Sequence, residues 1–356
     1  MKILIIIHAI TTGGAERQVT QDANMLAKDG HTVVVCYGKN GELKNQFLSA
    51  VNLLCLKTTS QITASIKLWL YLRKNRFDIV ISHMFWANKV AVLTGALTGH
   101  KVIVFEHGLG LWRKWYHLLF VRLVANYASS IVTCSEASKK IRITKEKIPS
   151  GKIIVIPNSF GVPESIQNDS VPIINDSKDT FTIGYAGRFN AVKQLHFLIP
   201  IALLIKNEIK DFRFMLLGDG TEKSSIEKQV NNNGINEYFV FTGYVSNPLR
   251  YLVNMDCFIL PSKREDFSLA LLEAAYAGLP CIAFNVGGNN EIIADGKTGW
   301  LVEPYDIGIM AQKIIWLCKN QDKAKKMGEL AKERVKELYS LEQRSANLVK
   351  LIQKTI

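Results

Sequence analysis

Short runs of valine and isoleucine alternate with helical patterns along this chain, in two separate series. The first series runs from Lys2–His8 to Ile153–Ile156, and the second runs from Thr182–Ala186 to Gly299–Val302. Continuous apolar runs of this kind are typical of parallel strands that are covered by helices on both faces. The pattern therefore predicts an α/β chain with two doubly wound parallel sheets.

A stretch rich in Pro, Asn, Ser and Asp separates the two series, and this composition is typical of a linker. A length of 356 residues suits two domains. We expect a first domain over residues 1–160, a linker over 161–180, a second domain over 181–338 and a C-terminal helix over 339–356. Such sheets bind ligands at the carboxyl ends of their strands, so a cleft between the domains is the expected site.

The positive charge is concentrated in the first half of the chain. Residues 1–150 contain 20 Lys and Arg against 8 Asp and Glu, whereas the remaining residues contain 24 against 23. This bias indicates an anionic partner for the first half, such as a membrane phospholipid, a nucleic acid or a phosphorylated substrate. A basic surface without a specific role is the alternative.

The cysteines and the hydropathy pattern limit the classes of protein to which this chain can belong. The six cysteines stand singly among apolar neighbours, without metal-like spacing, which indicates reduced thiols in a cytoplasmic protein. No apolar stretch approaches the length of about 20 residues that a membrane-spanning helix needs. The apolar N-terminus lacks a cleavage pattern, so we interpret it as a buried strand.

In the second half, cations and glycines follow predicted strands. Gly187 and Arg188 come directly after one strand, and Lys193 is expected to open the next helix. Two cations beside a glycine can neutralise a diphosphate, although a solvated pair explains them equally well. Gly218 begins a tight turn after the following strand, where a ligand can approach the backbone.

Two glutamates bracket the start of another predicted helix. Glu265 lies in the loop before the helix, and Glu273 lies about two turns into it, among Leu and Ala residues. The amides at the helix start, near Ser268 and Leu269, form an anion site. A loop carboxylate can accept hydrogen bonds from sugar hydroxyls, and a helix carboxylate in apolar surroundings needs a hydroxyl or cation partner.

The first half offers a histidine and an aromatic, basic segment. His107 follows a strand at its carboxyl end, where its imidazole could bind a sugar or a diphosphate, or could be structural. The segment from Leu109 to Tyr127 suits either a helix in a membrane interface or a core helix with exposed ends. The residues that we expect to contact membrane or acceptor are Trp112, Arg113, Lys114, Trp115 and Arg122.

Taken together, these motifs resemble the retaining glycosyltransferases of family 4, which have the GT-B fold of two facing Rossmann-like domains with an interdomain cleft. The resemblance covers nearly the whole chain. It rests on Glu265 and Glu273 with the following Ala277–Pro280 and Gly287–Glu291, a combination that is highly specific.

The resemblance implies roles for individual residues. Glu265 would contact hydroxyls of the donor sugar, Glu273 the ribose hydroxyls, and Arg188 with Lys193 the diphosphate as it leaves. His107 matches a family histidine near the donor sugar, and the loop of Gly13 and Gly14 would close over the donor. The family's first domain usually holds the acceptor, its second the nucleotide sugar, and its C-terminal helix often crosses back to the first.

The chain also departs from the family pattern. Asp266 and Ser268 stand where the family commonly has glycine, Ser159 replaces the glycine of the usual Pro-Asn-Gly, and Gln194 replaces that of Lys-Gly. Asp266 adds negative charge near a diphosphate, so we expect its side chain to point away.

We therefore predict a transferase that moves a hexose or N-acetylhexosamine from a uridine diphosphate sugar to a lipid-linked saccharide, with retention, in bacterial surface polysaccharide synthesis. The expected location is the cytoplasmic face of an anionic membrane, with peripheral attachment. No Asp-x-Asp motif occurs, so no metal or other cofactor is expected. A nucleotide-sugar epimerase of related fold is the alternative. A nucleic-acid-binding protein would not explain the carboxylate motif, and a dehydrogenase lacks its glycine motif after the first strand.

Overall fold

The computed structural model describes residues 1–161 and 180–356, which form two compact units. The first unit comprises Met1–Ser159 with Leu341–Ile356, and the second comprises Phe160–Ser340. The predicted linker lies outside the described residues, apart from its two ends. The C-terminal helix thus belongs to the first unit, although it follows the second in the chain.

The first unit, in the part that the structure describes, holds a seven-stranded parallel sheet with the order β3-β2-β1-β4-β5-β6-β7. The order reverses between β1 and β4, which is where doubly wound sheets bind ligands. The strands are β1 (Lys2–Ala9), β2 (Thr32–Lys39), β3 (Asn52–Cys55), β4 (Ile79–His83), β5 (Val102–Glu106), β6 (Ser130–Thr133) and β7 (Ile153–Val155). Its helices are α1 (Gly14–Lys28), α2 (Gln61–Lys74), α3 (Phe85–Thr98), α4 (Trp115–Tyr127), α5 (Glu136–Thr144) and α13 (Leu341–Thr355).

Different helices cover the two faces of this sheet. Helices α1 and α13 bury their apolar sides on one face, together with the isoleucines of β1 that point toward them. Helices α2, α3 and α4 bury theirs on the opposite face. Alternate residues of a strand point to opposite faces, so a strand apolar throughout, such as β1, feeds both cores.

A buried ion pair fastens α13 to the first unit. The guanidinium of Arg344 donates to both carboxylate oxygens of Asp22 on α1, over 2.6 and 2.8 Å. It also donates to the backbone oxygen of Pro157 over 2.6 Å. Charged partners and a carbonyl together satisfy a buried guanidinium, so α13 is held in one register.

The second unit contains, within its described residues, a six-stranded parallel sheet of order β10-β9-β8-β11-β12-β13. The strands are β8 (Phe181–Ala186), β9 (Phe212–Leu217), β10 (Phe239–Gly243), β11 (Cys257–Leu260), β12 (Cys281–Phe284) and β13 (Gly299–Val302). The helices are α6 (Leu198–Lys206), α7 (Lys223–Asn232), α8 (Leu249–Leu252), α9 (Leu269–Tyr276), α10 (Asn289–Ile292), α11 (Ile307–Lys319) and α12 (Gln321–Leu338).

The secondary structure departs from the sequence-based expectation at β3 and at Lys193. Strand β3 was not expected, because it is a four-residue edge strand and lacks a fully buried apolar run. Lys193 lies in a turn and does not open a helix, because the next residue, Gln194, has a left-handed φ of 50°. Within the described ranges, none of the helices has both the length and the apolar composition needed to cross a membrane.

Candidate functional site

Two glycine loops of the second unit pack backbone to backbone at the carboxyl edge of its sheet. The Gly187 amide donates to Leu217 O over 2.9 Å, and the Phe189 amide donates to Asp219 O over 2.9 Å. Gly218 has a φ of +140°, and a Cβ there would lie 1.9 Å from Gly187 O. Only glycine fits this position, since any side chain would push the two loops apart.

An ion pair links the loop after β8 to a third loop, which follows β11. Lys193 Nζ donates to Glu265 Oε1 over 2.6 Å, and these side chains are 20% and 11% exposed. The Lys263 amide donates to Val192 O over 2.8 Å and joins the same two loops through the backbone. The structure therefore brings together a predicted phosphate-binding cation and a predicted sugar-binding carboxylate.

The loop after β12 completes the group. A Cβ on Gly287, which has a φ of +56°, would lie 1.7 Å from Glu265 O. The Gly288 amide donates to Asp266 O over 2.9 Å. The carboxyl ends of β8, β9, β11 and β12 thus converge in one cluster of loops, which we call the loop cluster.

Helix α9 begins beside this cluster. Ser268 is its N-cap and accepts a hydrogen bond from the Leu271 amide over 3.4 Å, so its hydroxyl caps the helix N-terminus. Leu269 is the first helical residue, and Glu273 is buried in the second turn. Ser268 therefore replaces a glycine of the family pattern without disturbing the helix start.

Arg188 presents its side chain to solvent, while its backbone is tied to a buried tyrosine. The Tyr185 hydroxyl donates to Arg188 O over 3.2 Å. Burial, followed by the negative charge of Glu265, raises the pKa of Tyr185 well above its usual value. Tyr185 is thus a neutral donor that supports the loop. Sequence reasoning missed it, because a tyrosine inside an apolar strand looks like an ordinary core residue.

In the first unit, the ring of His107 lies between two other side chains. Its Nε2 lies 2.9 Å from Nδ1 of His83, and its Nδ1 lies 3.6 Å from Sγ of Cys134. Burial, and then the nearby charge of Arg344, lower the pKa of His107 to about 4. The imidazole is therefore neutral at pH 7, and protein groups orient both of its ring nitrogens.

Gly13 and Gly14 lie at the start of α1, after β1 and beside the strand-order reversal. Gly13 is the N-cap, without a side-chain hydrogen bond to the first turn, and Gly14 is the first helical residue. A helix start without side-chain capping leaves amide donors directed along the axis, which is favourable for an anion.

The structure overturns one predicted membrane contact. The Arg113 side chain is only 2% exposed and binds the carboxylates of Glu106 and Glu146. Arg142 also binds Glu146. Burial would raise the pKa of Glu106, but the Arg113 and Arg142 charges outweigh it and lower that pKa. Arg113 is therefore an internal ion-pair partner and not a lipid contact, because its charge is satisfied inside the unit.

The other residues predicted there are at the surface. Trp115 is 72% exposed, and Trp112, Lys114 and Arg122 are exposed as well. Among the described residues, no group of three or more His, Cys, Asp or Glu side chains is arranged to hold a metal ion.

Comparison with known proteins agrees with this architecture. The family model described as Glycosyltransferase Family 4 matches residues 12–160, and the model described as Glycosyl transferases group 1 matches residues 166–334. The Staphylococcus aureus capsular polysaccharide biosynthesis glycosyltransferase CapM is 26% identical over 96% of this chain and 94% of its own length. The Escherichia coli UDP-Gal:alpha-D-GlcNAc-diphosphoundecaprenol alpha-1,3-galactosyltransferase is 25% identical over 83% of this chain and 82% of its own.

The fold has solved counterparts. A crystal structure of Anabaena HepE in complex with UDP and glucose matches 99% of this chain and 100% of that chain, with a TM-score of 0.84 and 17% identity. The two family models together span nearly the whole sequence, and the sheets have the doubly wound order that the alternation of strand and helix patterns predicted. The chain therefore belongs to the family 4 glycosyltransferases and has their GT-B fold.

Proposed function

We propose that this glycosyltransferase moves a sugar from a nucleotide diphosphate sugar to an acceptor hydroxyl, with retention at the anomeric carbon. The observation that carries the proposal is the Lys193–Glu265 pair inside the loop cluster. It places a cation suited to a diphosphate beside a carboxylate suited to sugar hydroxyls. An epimerase has no need of an acceptor, and the relatives reported above are named as transferases.

The names of the relatives support the donor and acceptor classes of this proposal. HepE was crystallised with UDP and glucose, and the Escherichia coli relative is named for a UDP-galactose donor and a diphosphoundecaprenol-linked acceptor. We propose a UDP-hexose or UDP-N-acetylhexosamine donor and a lipid-linked saccharide acceptor. The setting would be bacterial surface polysaccharide synthesis, such as lipopolysaccharide, O-antigen or capsule.

In the proposed mechanism, Arg188 and Lys193 bind the diphosphate. The bond from the anomeric carbon to the phosphate oxygen breaks, and a bond to the acceptor oxygen forms on the same face of the sugar. The leaving phosphate takes the acceptor proton, and the two cations stabilise its charge. Glu265 accepts hydrogen bonds from sugar hydroxyls, and Glu273 accepts them from the ribose. Neutral His107, whose ring nitrogens already face His83 and Cys134, would line the site near the sugar.

Charge stabilisation by the chain's own cations needs no metal or cofactor. The loop of Gly13 and Gly14, at the start of α1, would close over the donor. Exposed Trp112, Lys114, Trp115 and Arg122 would contact an anionic membrane surface that carries the acceptor. We propose that the enzyme works in the cytoplasm, peripherally bound to the inner face of the cytoplasmic membrane.

Replacement of Lys193 tests the proposal. We expect Lys193→Ala to lower turnover by at least about 100-fold, because it removes a charge that stabilises the leaving group. The assay would follow radiolabelled UDP-sugar onto a polyprenyl diphosphate-linked saccharide, with UDP binding measured by calorimetry. Lys319→Ala is the matched control, because Lys319 also pairs with a glutamate over 2.6 Å, but at the open surface.

Near-normal turnover of the Lys193→Ala variant would refute the assignment. Isomerisation of labelled donor without any acceptor would favour an epimerase instead.

A further inference from the structure

Helix α2 exposes a stripe of aliphatic side chains that have no role in the proposed mechanism. Ile62, Ile66 and Leu70 are 76%, 54% and 46% exposed. They follow one another at intervals of four residues, so they lie on a single side of the helix. Leu68 and Leu72, on the other side, are buried in the core. A helix that is apolar on both sides can bind a second apolar partner besides its own core.

Helices α3 and α4 likewise bury apolar side chains on their inner sides and expose large apolar side chains on their outer sides. On α3, both ends of the outer side carry large exposed groups, and on α4 an exposed side chain recurs every fourth residue. The exposed side chains are Trp86, Leu93 and Leu97 on α3, and Trp115, Leu119, Leu123 and Tyr127 on α4.

These three helices are neighbours. Helix α2 packs against α3, α3 packs against α4, and all three cover the same face of the sheet. Their outer sides therefore form one continuous surface, which we call the three-helix face. Soluble proteins rarely expose apolar surface on this scale unless it binds a partner.

The charges on these helices identify the kind of partner. Helices α2, α3 and α4 contain no Asp or Glu, but they carry Lys67, Arg73, Lys74, Lys89 and Arg122. Arg73 lies over the ring of Trp69, 4.9 Å from its centroid, and Lys89 lies over Phe120, 4.3 Å from its centroid. Aliphatic and aromatic groups flanked by cations alone suit an interface between lipid headgroups and acyl chains.

We infer that the three-helix face docks on an anionic lipid bilayer, with the α2 stripe as an anchor. This extends the membrane contact of the proposed function from one helix to three. Docking through three adjacent helices would lay this face of the first sheet along the membrane. A second copy of the chain is a poorer occupant, because two such surfaces would oppose their positive charges.

The test replaces the α2 stripe. We expect the triple variant Ile62→Gln, Ile66→Gln, Leu70→Gln to lower binding to vesicles by at least about tenfold, since each residue would otherwise bury aliphatic surface in lipid. Glutamine is a good helix former, so α2 should remain folded, which circular dichroism checks. The vesicles contain phosphatidylglycerol and phosphatidylethanolamine in equal amounts, and co-sedimentation measures the binding constant.

The matched control carries Val253→Gln, Ile309→Gln and Leu330→Gln, which removes exposed aliphatic residues from the second unit. It should bind vesicles like the unmodified protein, and neither should bind pure phosphatidylcholine comparably. Equal binding by the α2 variant and the control would overturn the inference. So would a dimer, seen by sedimentation velocity, that dissociates only in the α2 variant.

The assay contains no donor or acceptor, so its outcome is independent of catalysis. Calorimetric binding of UDP by the α2 variant should match that of the unmodified protein. Loss of vesicle binding with UDP binding intact supports the docking face. Failure of the proposed function would instead appear as absent UDP binding with vesicle binding unchanged.

Discussion

Lys193 and Glu265 are separated by 72 positions in the chain, yet Nζ of one lies 2.6 Å from Oε1 of the other. The pair connects the loop after β8 with the loop after β11, which are adjacent strands of the sheet. The two side chains hold each other in place, and each retains further capacity, because an ammonium has three donors and a carboxylate has several acceptor sites.

Replacing this carboxylate should separate catalysis from nucleotide binding. In the proposed mechanism Glu265 contacts the sugar and not the nucleotide. Glu265→Gln should therefore lower turnover by about 100-fold or more, while UDP affinity changes little. Steady-state kinetics and calorimetry measure the two effects. Glu208→Gln removes a surface glutamate that is also paired with lysine and should change neither. A comparable loss of UDP binding would contradict the assigned role.

The contact between Gly218 and Gly187 makes a prediction about stability. Gly218→Ala would place a Cβ 1.9 Å from the backbone oxygen of Gly187, at a φ of +140°. We expect a loss of about 1–3 kcal/mol in unfolding free energy, measured by denaturant titration, and weaker UDP binding. Gly234→Ala is the control, because its φ is also positive but nothing lies within 4 Å of the added Cβ. Equal losses in the two variants would show that the loop contact is not tight.

The buried ion network around Arg113 makes a second prediction about stability. Arg142→Met would leave the carboxylate of Glu146 with one fewer buried partner. Removing one member of a buried ionic group costs about 3–5 kcal/mol, so the melting temperature should fall clearly. The exposed Lys319–Glu208 pair offers the contrast, and Lys319→Ala should leave the melting temperature unchanged. A mild effect in both variants would mean that the network is hydrated.

His107 makes stability depend on pH. Its pKa is about 4 in the folded protein, against an ordinary histidine value of 6.5. A lowered histidine pKa means that, between these values, the unfolded chain binds a proton that the folded chain does not. This contribution is complete above pH 6.5 and is lost as the pH falls toward 4, by on the order of 3 kcal/mol. Denaturant titrations across this range should show a flatter profile for His107→Gln. An unchanged profile would exclude His107 as the source.

The proposed metal independence predicts the outcome of a chelation experiment. If Arg188 and Lys193 provide the charge stabilisation, excess EDTA should leave turnover unchanged after dialysis. A loss of activity that is restored by Mg²⁺ or Mn²⁺ would show that a cation shares this task. The rate with and without chelator, at saturating donor and acceptor, is the measurement.

Most of the strands were predictable from sequence, because a buried parallel strand is a local apolar run. The edge strand β3 was missed, since partial exposure weakens that signal. The prediction that Lys193 begins a helix was wrong, because of the backbone conformation of the next residue. Gln194 adopts a left-handed conformation at the position where the family commonly has glycine, and this ends the turn before any helix begins.

Whether a charged side chain is buried or exposed was less predictable from the sequence. Arg113 and Arg122 look alike in the sequence, but Arg113 is buried against Glu106 and Glu146 whereas Arg122 is exposed. The aliphatic stripe of α2 gave no signal either, because a pattern of apolar residues does not say which of them remain outside the core. Both outcomes depend on which elements become neighbours.

By itself, the sequence determined the family and the two doubly wound sheets, because strand runs, helix patterns and motif spacing are properties of neighbouring residues. Only the tertiary structure decided that Lys193 meets Glu265, that Arg113 is internal and that three helices share one apolar face. These relationships depend on strand order and on close contacts between backbones, which bring together residues that are far apart along the chain.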